Sequence, residues 1–290
     1  MSITELIKDL RERTGAGMMD CKKALEATEH DIEKAIEWLR ENGIAKAAKK
    51  GDRVASEGLT KIYIEGNKAI LLELNSETDF VAKNEQFLDL LDKIAKAILN
   101  SDAKTVEEAL NITVDGETLN DLIISATATI GEKITLRRFS ILTKNDNQRF
   151  VSYSHMGGRI GSILVVEGEA CDAEHQVAMH VAATNPQYLD SSEIDEAVIA
   201  KEREVLRKEA LNEGKPENIV DKMVEGRLNK YLEEICLVNQ QFVVEPDFKV
   251  GQVLDNNNIK VLSFSRYEVG EGIEKEKVDF AAEVAAQLNN

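Results

Sequence analysis

Apolar residues recur at helical spacing along the first forty-odd positions: Ile3, Leu6, Ile7 and Leu10, then Met18, Cys21 and Leu25, then Ile32, Ala35, Ile36 and Leu39. Gly15 with Gly17 interrupts the first pattern, and the turn from Thr28 to Asp31 interrupts the second. The pattern predicts three short helices, closed by a glycine stop at Asn42-Gly43. The stretch IAKAAKKGDR, residues 44–53, is small and basic, and reads as a linker with helical potential in its first half.

From Ser56 the period shortens to that of a strand. KIYIEGN alternates into a Gly66-Asn67 turn, and KAILLELN returns as a more apolar and hence more buried strand. A helix follows from about Asn84 to Leu99, with Phe87, Leu90, Leu91, Ile94 and Ile98 on one side. A second helical stretch covers 119–130, and ITLRRFSIL, 134–142, reads as a strand. The plan then recurs: FVSYSH is a strand, MGGR a turn, IGSILVVEG a more apolar returning strand, and EHQVAMHVAAT a helix stopped by Asn185-Pro186. This predicts an α+β protein with a duplicated antiparallel-sheet and helix core.

Two charged helical stretches, 193–212 and 217–235, are joined by Glu213-Gly214-Lys215-Pro216, where glycine ends one helix and proline opens the next. KVLSFSRYEV then reads as a strand returning to the second sheet, which makes the helical hairpin an insertion. A tail from Lys275 carries Val278, Ala281, Ala282 and Ala285 on one helical stripe. The expected division is residues 1–52 for the three-helix module and linker, and 53–142 for the first half of the core. Residues 143–188 with 236–272 form the second half, 189–235 the inserted antiparallel coiled coil, and 273–290 a C-terminal helical module.

Charge narrows the partners. Lysine and arginine total 36 against 53 aspartates and glutamates in 290 residues, a formal net charge of -17 that repels phosphate backbones and anionic membranes. Neither nucleic acid nor a membrane is an expected direct partner. No apolar run approaches the roughly 20 residues that span a bilayer. The opening MSITELIKDLRERTG sets acids within an amphipathic pattern unlike that of a leader, and Cys21, Cys171 and Cys236 are widely spaced and odd in number. A cytoplasmic, reducing location is expected.

Candidate chemistry is thin. The chain has no GxxxxGK[ST], no GxGxxG after a strand, no GxSxG and no HExxH. His175 and His180, five apart on one helix, point roughly 140° apart and suit no shared metal. Cys21 lies on an apolar stripe with no histidine nearby in sequence, which fits packing, and Glu167 and Glu169 around Gly168 fit a solvated turn. No catalytic residue, metal or cofactor is expected, and a binding protein is favoured over an enzyme.

Two stretches stand out. In SYSHMGGRIG, alternation puts Tyr153 and His155 on one face before a turn whose glycines serve the hairpin alone or admit a partner closely. In LNSETDFVAKN, Asp79 and Phe80 sit at a strand-to-helix junction. Either Thr78 or Asp79 caps the next helix with Phe80 folded inward as a staple, or Phe80 is an exposed wedge for a partner's pocket with an acid beside it.

TGAGMMDCKKALEAT and ELNSETDFVAKNEQF closely resemble the two signature segments of the bacterial elongation factor Ts family. SYSHMGGRIG, HVAATNP, EGKPENIVDKMVEGR and RYEVGEGIEK resemble further segments of that family, in its order, so the likeness covers essentially the whole chain. The resemblance implies a guanine-nucleotide exchange factor for the GTPase elongation factor Tu. It also implies a ubiquitin-associated-like N-terminal module, two related α+β subdomains, an inserted coiled coil and a C-terminal helix. It assigns Thr78, Asp79, Phe80 and Val81 to displacement of magnesium from the partner's nucleotide site, and His155 to a contact elsewhere on the partner. The chain reads HMGGR, one residue more between His155 and Arg159 than the family's pattern. The helical hairpin is left for dimerisation or a secondary contact. The competing class, a helical adaptor for small ubiquitin-like partners, accounts only for residues 1–42 and gives SETDFV no role.

Overall fold

The structure, a computed structural model, describes residues 2–214 and 216–274. Ser2 and Glu5 form a reciprocal cap on α1 (Ile3–Thr14), and Gly15 ends that helix in the left-handed conformation. Helices α2 (Met18–Ala27) and α3 (Ile32–Ala48) complete the module around buried Leu10, Cys21, Ala24, Leu25 and Ala35. Gly43 does not stop α3, contrary to the sequence expectation: the helix continues to Ala48. Gly43 is buried where a Cβ would stand 3.3 Å from that of Ala128, so its small size serves helix approach rather than termination.

The first half of the core contains β1 (Glu57–Glu65), β2 (Lys68–Ser76), α4 (Glu85–Leu99), α5 (Val106–Leu110), the short pair β3 (Thr113–Val114) and β4 (Glu117–Thr118), α6 (Leu119–Ile130) and β5 (Thr135–Thr143). Its antiparallel sheet has the order β1-β2-β5. The second half contains β6 (Gln148–His155), β7 (Ile160–Gly168), α7 (Asp172–Thr184), α8 (Glu196–Asn212), α9 (Glu217–Ile235), α10 (Val250–Asn256) and β8 (Ile259–Glu268). Its sheet has the order β6-β7-β8, so the central strand in each half is the second of a hairpin. The hairpin α8–α9 interrupts the path from α7 to β8, as an insertion should. The helix expected in the tail falls on residues 275–290, outside the described residues.

The two sheets pack face to face, with helices on their outer sides. On β2, alternation sends Ile70, Leu72 and Leu74 into a cluster with Phe87, Leu91 and Ile94 of α4, while Ala69 and Leu71 meet Ile163 and Val165 of β7 between the sheets. On β7, Leu164 and Val166 face outward to Val177 and Val181 of α7. Each central strand is buried on both faces, which is why KAILLELN and IGSILVVEG carry more apolar residues than their hairpin partners. The sheets approach closely at Gly161, where a Cβ would fall 2.8 Å from Thr60 Oγ1 and 2.9 Å from Leu71 Cδ1.

One charge is enclosed at this seam. Glu73 on β2 is 0 % exposed and accepts from Arg138 Nε at 2.6 Å, Gly270 N at 2.8 Å, Arg137 Nη1 at 3.0 Å and Asn75 Nδ2 at 3.0 Å. Burial works against its ionisation, but the Gly270 N–H, the Asn75 amide and the two guanidinium groups outweigh it and hold the carboxyl below its ordinary range. Arg138 Nη2 also donates to the carbonyl of Glu268 at 3.0 Å, so the cluster stitches the first sheet to the end of β8.

Candidate partner-binding site

The SETDFV segment begins where β2 ends and is tied down residue by residue. Ser76 Oγ donates to the carbonyl of Thr78 at 2.9 Å, and the Glu77 carboxylate accepts from Lys133 N at 2.6 Å and Arg53 Nη1 at 3.2 Å. Thr78 gives its N–H to Glu132 Oε2 at 2.9 Å and its hydroxyl to Glu132 Oε1 at 2.7 Å. Val81 is buried in the first-half core, opening a short 3-10 turn over Val81–Lys83. Between these anchors, Asp79 is exposed and pairs with Lys83 Nζ at 3.2 Å, and the Phe80 ring is 80 % exposed. A large ring left in water, with its neighbours fixed on both sides, is a preformed knob.

The cap-and-staple reading is overturned. Asn84 caps α4, accepting from Gln86 N at 2.8 Å, and neither Thr78 nor Asp79 does so. The 3-10 turn delays the helix until Glu85 and Thr78 gives its hydroxyl to Glu132; with Asn84 as the cap, Phe80 lies four residues upstream of it and not at the staple position just before it.

His155 ends β6 on the surface, with its Nδ1 3.0 Å from the hydroxyl of Tyr153. The Tyr153 ring also meets His175 edge-on, with centroids 5.7 Å apart. Beyond His155, Met156, Gly157 and Gly158 all take positive φ, and Thr60 Oγ1 donates to Gly158 O at 2.8 Å. Arg159 pairs with Glu57 at 2.5 Å. The glycine turn is therefore seated on the start of β1. Because Glu57 pairs with Ser76, the SETDFV loop and the HMGG turn lie at the same end of the double sheet. Their convergence escaped the sequence reading, since it depends on how one sheet stacks on the other. The supports Glu132, Glu77 and Thr60 were missed for the same reason.

The remaining candidates lie in buried packing or on the surface. His180 is buried, with Nε2 2.8 Å from Gln240 Oε1 and Nδ1 accepting from Val243 N at 3.3 Å; burial pushes its pKa down. His175 is exposed beside Tyr153, so the two histidines diverge as their spacing requires. Cys21 is buried in the three-helix module, where desolvation pushes its thiol pKa up. Gly168 and Glu169 offer their carbonyls to Arg149 at the end of β7, and the Glu167 carboxylate accepts from Gln148. Among the described residues, no group of three histidine, cysteine, aspartate or glutamate side chains could hold a metal ion, and no helix is long and apolar enough to cross a membrane.

A braced α+β frame holds out the Phe80 ring, the most exposed aromatic side chain among the described residues. A model of the family Elongation factor TS matches residues 77–271, and one of the family Elongation factor Ts, mitochondrial, N-terminal matches residues 2–51. The first spans more than half of the chain, and the chain belongs to the elongation factor Ts family. Membership implies nucleotide exchange on elongation factor Tu during translation elongation.

Proposed function

We propose that this chain binds elongation factor Tu in its GDP form, disturbs the Mg²⁺ site and releases GDP so that GTP can rebind. The observation that carries this reading is the exposed Phe80 ring on a loop anchored at Thr78 and Val81. A GTPase holds Mg²⁺ and the nucleotide phosphates through its phosphate loop, a serine or threonine and a carboxylate. A protein that prefers the nucleotide-free form must weaken nucleotide binding by the same factor, by thermodynamic reciprocity. Phe80 enters between elements of the partner and shifts them, and the Asp79 carboxylate holds the moved segment. Thr78 and Val81 keep the knob in place. Mg²⁺ then loses coordination and the phosphates lose their neutralising charge. His155 grips the partner elsewhere.

No bond in the chain is made or broken in this cycle, so the protein acts as an exchange factor and not as an enzyme. The units assigned are 1–52, 53–142, 143–188 with 236–272, 189–235 and 273–290; separate apolar clusters in the module, the two half-cores and the hairpin support the first four. The hairpin α8–α9 is assigned to dimerisation or a secondary contact, and light scattering of the parent and of a chain lacking 193–235 separates the two. The location assigned is cytoplasmic, which a role in translation elongation supports. The deciding experiment is release of a fluorescent GDP analogue from elongation factor Tu: it accelerates when the protein is added, and an unchanged rate would sink the reading.

A further inference from the structure

Met156 combines two unfavourable features. Its φ of 49° lies in the left-handed region that suits glycine, and its side chain is 67 % exposed. Among the described residues it joins none of the apolar clusters that build the core. The next two positions are glycines with positive φ, so the turn already has residues suited to its shape. A long apolar side chain here helps neither the turn nor the core.

Its seat is nevertheless fixed. Gly158 is held by Thr60, the Val269 N–H donates to Arg159 O at 2.9 Å, and Arg159 pairs with Glu57. This is the arrangement seen at Phe80: an exposed apolar side chain on braced backbone, at the same end of the double sheet. Strain kept at a position of no folding benefit points to a contact made outside the chain.

We propose that Met156 is a second apolar contact with the GTPase, filling a shallow nonpolar depression on the same partner that receives Phe80. Methionine suits such a role because its unbranched, polarisable thioether adapts to an irregular surface. This inference rests on the exchange-factor reading above and adds to it a residue that sets affinity rather than one that disturbs Mg²⁺. Apolar reach from two points would also align the knob before it enters.

The test uses opposite signs. Met156→Gly relieves the left-handed strain, so its thermal midpoint stays at or above that of the parent, while its Kd for nucleotide-free elongation factor Tu weakens about tenfold, the loss of a modest hot spot. Met156→Leu keeps the apolar contact and binds within about twofold of the parent. A glycine variant that binds like the parent overturns the proposal, and so does one whose midpoint falls, because the side chain would then serve the fold. If the parent itself fails to speed GDP release, the exchange-factor reading fails first. A parent that exchanges, alongside a glycine variant of parental affinity, removes Met156 alone.

Discussion

Thr78 holds both oxygens of Glu132, one with its backbone N–H and one with its hydroxyl, two residues before the exposed ring of Phe80. The pair joins the end of β2 to the turn after α6, and it is the nearest fixed point upstream of the knob. Glu132→Ala removes both acceptors. The expected cost is about 1–2 kcal/mol in chemical unfolding, since bonds to a charged group are worth more than neutral ones but this pair is only partly buried. Stimulated GDP release should fall severalfold because the ring is no longer held in its binding pose. A double-mutant cycle checks the coupling: Phe80→Ala should matter less in the Glu132→Ala background than in the parent.

Phe80 itself should be silent in folding and loud in exchange. Its ring is mostly in water, so Phe80→Ala should leave the thermal midpoint nearly unchanged while lowering stimulated GDP release by about 2 kcal/mol, or some thirtyfold, as truncation of an interface hot spot does. Asp79→Ala removes an exposed pair with Lys83 and should shift stability by less than about 0.5 kcal/mol. Parental release from a folded Phe80→Ala protein would make the knob irrelevant.

Much of this frame was legible in residue order, and the failures share a cause. The central strands β2 and β7 announce themselves because burial on two faces writes apolar residues at consecutive positions, and α4 does so through one strong stripe. Gly43 misled because the same small residue ends a helix or lets two helices touch, and only the position of Ala128 decides between them. SETDFV left the cap and the exposed wedge both open because Thr78 is a good cap in isolation, and its hydroxyl was claimed by Glu132 from across the fold. Local chemistry reports what a residue is able to do; long-range geometry selects which of those roles it fills.

The cysteines provide a check on burial that is independent of the partner. Cys21 and Cys236 are buried, and desolvation pushes both thiols up, whereas Cys171 is half-buried at the start of α7. An aromatic disulfide reagent needs an accessible thiolate. In the native protein it should titrate one thiol quickly, with the other two following at the rate of local or global opening; in strong denaturant all three should react at once. Mass mapping should place the fast label on Cys171.

Glu73 makes the strongest claim on pH. Its folded-state carboxyl lies below the ordinary range, so the unfolded chain takes up a proton more readily and folding is favoured at any pH above the unfolded value. That contribution is fully present at neutrality and is lost as pH falls through the folded value, when the two guanidinium groups lose their counter-charge. Arg138 also lies over the Tyr267 ring at 4.3 Å, so a disturbed arginine loosens the seam between the sheets as well. Glu73→Gln should therefore cost about 3 kcal/mol at pH 7, the scale for breaking a buried ion pair from one side. The variant no longer titrates at this position, so its stability should fall less steeply than the parent's as the buffer is taken from pH 5 toward pH 3. Urea unfolding across that range measures both effects. Parallel acid limbs for parent and variant would show that Glu73 does not carry the pH dependence assigned to it here.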